Sequence, residues 1–130
     1  MPGNRRHIFS KSLFQSSAPF SHVVIAGGVG YIAGIIGQRR DNGALVDADV
    51  VLQARAMFDN LETALNDAGF SLADLVATRL YLLDYAKFEA INQVYRERLS
   101  PPFPARTTLQ VAALPLGAGV QIDATIDASK

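Results

Sequence analysis

Val76-Ala77-Thr78-Arg79-Leu80-Tyr81-Leu82-Leu83 is the stretch on which the fold turns. Its β-branched, aromatic and aliphatic side chains predict a core strand starting near Leu75. The flanking patterns decide the class. Upstream, Val50, Ala54, Met57, Phe58, Leu61, Ala64, Leu65 and Ala68 fall at helical spacing, which predicts an amphipathic helix from about Asp47 to Ala68. Asp47 and Asp49 suit its positive end, and Gly69 its stop. Ser71-Leu72-Ala73-Asp74 has the form of a capping box, so one helical turn leads into the strand. Downstream, Asp84 caps a second helix with an apolar stripe of Phe88, Ile91, Val94, Tyr95 and Leu99.

Working outward, the remaining signals are strands. Ile8 to Phe14 reads as a short first one, and Val23–Ala26 and Tyr31–Gly34 as two more joined by Gly27-Gly28-Val29-Gly30. Arg40-Asp41-Asn42-Gly43 is a turn, and Pro101-Pro102-Phe103-Pro104 a rigid loop. Thr107 to Ala113 and Val120 to Ala128 are the last two strands. The order β-β-β-α-β-α-β-β is that of an α+β fold, a mixed β-sheet with two main helices packed on one face.

A chain of 130 residues is expected to be one domain, 1–130, able to bury roughly two-thirds of its unfolded surface. Its 49% hydrophobic content slightly exceeds the need of a small monomer and points to self-association. Twelve basic and twelve acidic residues cancel, which disfavours nucleic-acid binding. Cysteine is absent, excluding disulfides and thiolate chemistry, and two histidines make a metal site an outside reading. Arg5-Arg6 lacks the apolar run that an export signal needs directly after it, so a cytoplasmic protein is expected. Phe20 to Gly37 is nearly uncharged but holds five glycines, so it reads as two buried strands with a bend and not a membrane span. Gly28-Val29-Gly30-Tyr31-Ile32-Ala33 fits a loose dinucleotide fingerprint, yet no helix follows to face a pyrophosphate.

Pro104-Ala105-Arg106-Thr107-Thr108-Leu109-Gln110-Val111 carries the chemistry. Arg106 is the only charged residue between Arg98 and Asp123. A guanidinium in apolar surroundings needs an anionic partner, either a structural carboxylate distant in the chain or a ligand acid held by its planar fork. In the last strand Asp123 points away from the apolar side. It is either a surface carboxylate or one that orients a water.

Asn60-Leu61, Ala68-Gly69-Phe70-Ser71-Leu72-Ala73-Asp74, Asp84 with Phe88, Ile91-Asn92-Gln93-Val94-Tyr95, Pro104-Ala105-Arg106-Thr107, Val111 and Leu114-Pro115 together resemble the reactive intermediate deaminase (Rid) or YjgF family, from about Pro19 to Ala128. The resemblance implies a chorismate-mutase-like fold and a homotrimer with ligand sites in the clefts between subunits. It implies hydrolytic deamination of 2-imino acids and enamines from pyridoxal-phosphate-dependent dehydratases, giving 2-keto acids and ammonia, with no metal or organic cofactor. Such an activity is a detoxification within amino-acid metabolism. Position by position, it makes Arg106 the carboxylate anchor and Asp123 the stand-in for a glutamate that handles water or ammonia. Thr108 stands where cysteine or serine is common, Gly34 at a glycine that admits ligand to the backbone, and Asn92 at a cleft asparagine. Phe20 replaces a pocket tyrosine and Ala33 a frequent serine, so two hydroxyls are missing. Two other readings stay open: a ligand-sensing or partner-binding trimer, and a pathway deaminase of an aminomuconate or aminoacrylate type of substrate.

Overall fold

The computed structural model describes residues 4–129. Residues 1–3 and 130 of the expected 1–130 domain lie outside the described residues. Six strands form one sheet: β1 (Arg6–Ile8), β2 (Val23–Ala26), β3 (Val29–Ile35), β4 (Leu75–Leu82), β5 (Ala105–Gln110) and β6 (Val120–Asp127). Their spatial order is β1-β2-β3-β6-β4-β5. Every neighbouring pair is antiparallel except β4 and β5, which run parallel because α2 (Phe88–Arg98) crosses between them. The α+β class and the element order are as expected from the sequence.

One face of the sheet is apolar. In β6, Val120, Ile122, Ala124 and Ile126 are buried while Gln121, Asp123 and Thr125 alternate outward. Leu80 and Leu82 of β4 join them beneath α1 (Val50–Asp67), whose Ala54, Met57, Phe58, Leu61, Ala64 and Leu65 all face the sheet, and beneath Ile91 and Val94 of α2. Full burial of such side chains contributes roughly 1.5–3 kcal/mol each. The helix ends are well made. Asp49 caps α1 through the Val51 N–H. At the other end Gly69 adopts φ +93°, and Phe70 and Gly69 donate to the carbonyls of Leu65 and Asn66, a Schellman closure. Gly37 lets the chain beyond β3 touch α1, since a Cβ there would stand 2.3 Å from the Gln53 carbonyl oxygen.

Some boundaries differ from the sequence reading. The first strand is Arg6–Ile8 and not Ile8 to Phe14. From Ser10 onward the backbone is satisfied by side chains instead of a ladder: the Ser10 N–H donates to His22 Nδ1, and the Gln15 amide donates to the Ser10 and Leu13 carbonyls. β5 starts two residues early, at Ala105, because pairing with β4 begins at Ala77 opposite Ala105. Asp84 caps a short 3₁₀ turn, Tyr85–Lys87, that runs into α2. Ser71 and Asp74 form the expected capping box.

Candidate functional site

The sheet's second face is not covered by helices and carries Tyr31, Arg79, Tyr81, Leu109, Asp123 and Thr125. Tyr31 is 53% and Leu109 51% exposed. Side chains alternate along a strand, so registry decides which residues share this face. Arg106 pairs with Thr78, which is buried on the helix side; Asp123 pairs with Arg79, one residue on. The two residues therefore project from opposite faces of the sheet.

On the helix side Arg106 is held from three directions. Its Nε donates to Thr108 Oγ1 at 2.8 Å, and its Nη2 to Asn92 Oδ1 at 2.6 Å. Asn92 is oriented in turn by its own amide, which donates to Glu89 Oε1 at 2.7 Å. The guanidinium carbon sits 4.7 Å from the centre of the Tyr95 ring and 5.3 Å from that of Phe88. The Tyr95 hydroxyl is fixed by Thr78 Oγ1 at 2.8 Å. Burial lowers the Arg106 pKa from its ordinary value, the charges of Tyr95 and Tyr85 opposing that shift. Among the described residues Arg106 forms no salt bridge to a carboxylate. It borders a groove of about 270 Å³ that Phe88, Tyr95, Phe103, Asn92 and Arg96 also line.

On the open side Asp123 is doubly held. Arg79 Nε pairs with its Oδ1, and the Tyr81 hydroxyl donates to its Oδ2 at 2.7 Å. A second Arg79 nitrogen reaches Thr125 Oγ1 at 3.4 Å. The bond to Asp123 raises the Tyr81 pKa, keeping the hydroxyl a donor. Asp123 also faces an irregularity. β3 and β6 are in register at Ile32 with Ala124 and again at Ile35 with Ile122, so Ala33 and Gly34 together oppose Asp123 as a β-bulge. A Cβ on Gly34 would meet the Gln121 amide nitrogen at 2.5 Å.

Phe20 lies beside Gly34. Its ring lies 5.1 Å from His22, edge-on, and 5.6 Å from Phe9, and it shares a small cavity of about 60 Å³ with Gly34 and His22. The Ala33 N–H donates to the His22 carbonyl. Thus Arg106, Asn92 and Thr108 are brought together; elsewhere Ala33 and Gly34 lie opposite Asp123, and Phe20 shares a cavity with Gly34. Within one chain the two groups do not meet. Sequence reasoning missed Arg79 and Tyr81 as the partners of Asp123. Their alternation with Leu80 and Leu82 marks them as outward-facing, but only the β4–β6 register pairs them with Asp123. That reasoning read Tyr95 as a core residue, which it is, without showing that the ring also carries Arg106.

A family model described as Endoribonuclease L-PSP matches residues 10–127. The human protein named 2-iminobutanoate/2-iminopropanoate deaminase is 33% identical over 120 residues, which are 92% of this chain and 88% of the human one. The crystal structure of RidA from the Antarctic bacterium Psychrobacter sp. PAMC 21119 has a TM-score of 0.89 at 32% identity, covering 94% of this chain and 98% of that one. Escherichia coli TdcF with bound serine has a TM-score of 0.85 at 27% identity, with the same two coverages. With residues 10–127 matched by the family model and two solved structures agreeing at TM-scores of 0.89 and 0.85, the chain belongs to the Endoribonuclease L-PSP family, the Rid or YjgF group.

Proposed function

We propose that the protein is a hydrolytic deaminase of 2-imino acids and their enamine tautomers, releasing 2-keto acids and ammonia. The carrying observation is Arg106: a half-buried guanidinium, braced by Asn92 and Thr108 and stacked on Tyr95 and Phe88, with no salt bridge to a carboxylate among the described residues. Such a fork is built to hold a ligand carboxylate. Relatives bearing the name 2-iminobutanoate/2-iminopropanoate deaminase support the reading. In the reaction water oxygen bonds to the imine carbon while the imine nitrogen takes a proton. The carbinolamine then breaks its C–N bond, its hydroxyl proton goes to nitrogen, and ammonia leaves. The imine carbon is electrophilic from the start, so the protein supplies an anchor and a group that handles water.

Asp123 is that second group, and it belongs to a neighbouring copy. It projects from the open face of the sheet, on which Tyr31 and Leu109 remain half exposed; a homotrimer packed through these faces joins the Arg106 group of one subunit to the Phe20, Ala33, Gly34 and Asp123 group of the next. The neutral net charge gives no surface for tracking a phosphate backbone, which speaks against ribonuclease action. A second reading has one observation in its favour: both Asp123 oxygens are engaged by Arg79 and Tyr81, which suits a trimer that senses 2-keto or 2-imino acids without turning them over. A dehydratase-coupled assay separates the two. The deaminase accelerates 2-keto acid formation above buffer; a sensor binds 2-ketobutyrate and accelerates nothing.

A further inference from the structure

The groove beside Arg106 holds a second cation. Arg96, one residue after Tyr95 on α2, lines it together with Arg106, while Phe88, Tyr95 and Phe103 form its walls. The two guanidinium charges act on each other, and the charge of Glu89 opposes that effect at Arg106. Glu89 is also the ion partner of Arg96, but at 3.6 Å, with the side chains 75% and 57% exposed. A pair so long and so solvated contributes little, so Arg96 turns to a better acceptor at small cost. Glu89 does not line the groove. The volume, about 270 Å³, lies below the range of drug-sized pockets and suits a small acid.

Resting on the carboxylate anchor argued above, we propose that the preferred ligand is a dicarboxylic 2-imino acid. Its α-carboxylate lies on Arg106, its second carboxylate on Arg96, and the carbon chain between them along Phe88, Tyr95 and Phe103. Arg96 is then a specificity residue that touches the substrate but takes no part in the hydrolysis. A monocarboxylic imino acid of equal length leaves Arg96 facing water. The wall of three aromatic rings favours a planar or extended chain over a branched polar one.

The test uses the intact protein and two probes of the same five-carbon chain, 2-oxoglutarate and 2-oxopentanoate, which differ only in the terminal carboxylate. Calorimetry on the wild type is expected to favour 2-oxoglutarate by about tenfold, the scale of one charge-assisted hydrogen bond at a partly exposed site. Arg96→Ala should erase that preference, weakening 2-oxoglutarate by about tenfold and 2-oxopentanoate only by the smaller share that one nearby, half-exposed positive charge contributes; Arg96→Glu should reverse it. Initial rates with the imines that amino-acid oxidases make from glutamate and norvaline should follow the same order. Equal binding of both acids by the wild type, or equal weakening of both by Arg96→Ala, overturns the proposal and leaves the Arg106 anchor standing. Binding of neither acid by the wild type overturns the anchor and this proposal together.

Discussion

Arg106 and Asp123 stand on opposite faces of one sheet, placed there by adjacent pairings of β4: Thr78 with Arg106 and Arg79 with Asp123. A one-residue step along a strand reverses the side-chain direction. The anchor and the water-handling carboxylate of the proposed reaction therefore cannot act on one substrate within a single chain. Assembly becomes part of the chemistry, and each half of the site can be altered without disturbing the other.

Arg106→Ala removes the anchor while leaving the fold intact, because its hydrogen bonds go to Thr108 and Asn92 and not to the core. Loss of a charge-assisted carboxylate contact costs on the order of 3 kcal/mol, more than a hundredfold in kcat/KM. Arg106→Lys should recover little, since a lysine cannot supply the planar fork. Circular dichroism of both variants should match the wild type. An alanine variant with full activity assigns Arg106 to structure alone.

Tyr81→Phe deletes one of the two groups that hold Asp123 and leaves the ring in place. If Asp123 handles the water, kcat should fall about tenfold while the affinity for 2-ketobutyrate, set by Arg106, stays constant. Asp123→Asn should lower the rate by tenfold to a thousandfold, the general scale of acid–base assistance. Stability should change by less than about 1 kcal/mol on losing Arg79, whose side chain is 41% exposed. Loss of 2-ketobutyrate binding in Tyr81→Phe, with kcat unchanged, contradicts the role given to the open face.

His22 makes stability depend on pH. Its Nδ1 accepts the Ser10 N–H at 2.8 Å, and a protonated ring would present a donor to that donor. Burial lowers the His22 pKa, and the charge of Asp67, itself bonded by Ser10 Oγ, opposes the shift. The folded value thus lies below the unfolded one, and the unfolded chain binds more protons between the two. Stability is complete above the ordinary histidine value of about 6.5 and falls as pH drops below it, by up to about 1.4 kcal/mol for each pH unit separating the two values. Urea midpoints at pH 7.5 and 5.5 measure this. His22→Asn, which keeps an acceptor near Nδ1, should flatten the difference; an unchanged slope places the titration elsewhere.

The helices were legible because their signals are local. The α1 stripe, the Gly69 stop and the Ser71–Asp74 box each lie within a few residues of what they specify. Arg106 was legible as a candidate anchor for a similar reason, a single charge in an apolar run. What could not be read was non-local. The Ala33–Gly34 bulge opposite Asp123, and the ion pair of Arg79 with Asp123 across 44 residues of chain, depend on the β3–β6 and β4–β6 registers. The first strand was misplaced because the His22 ring and the Gln15 amide satisfy the Ser10 backbone N–H and carbonyl, side-chain bonds that a periodicity cannot foresee. Tyr95 reads as core by spacing and is core; that its ring also carries Arg106 follows only from β5 lying beside β4.

Mixing two impaired variants tests the central claim, a site shared between copies, most directly. Arg106→Ala keeps an intact Asp123, and Asp123→Asn keeps an intact Arg106. Co-refolded at equal amounts into a closed ring, about a quarter of the sites should pair an intact Arg106 with an intact Asp123. Deamination should then return to about a quarter of the wild-type rate, in particles of about three times the 14.0 kDa chain mass by light scattering. Mixed particles with no more activity than the separate variants, or full activity from a 14.0 kDa monomer of the wild type, contradict the account.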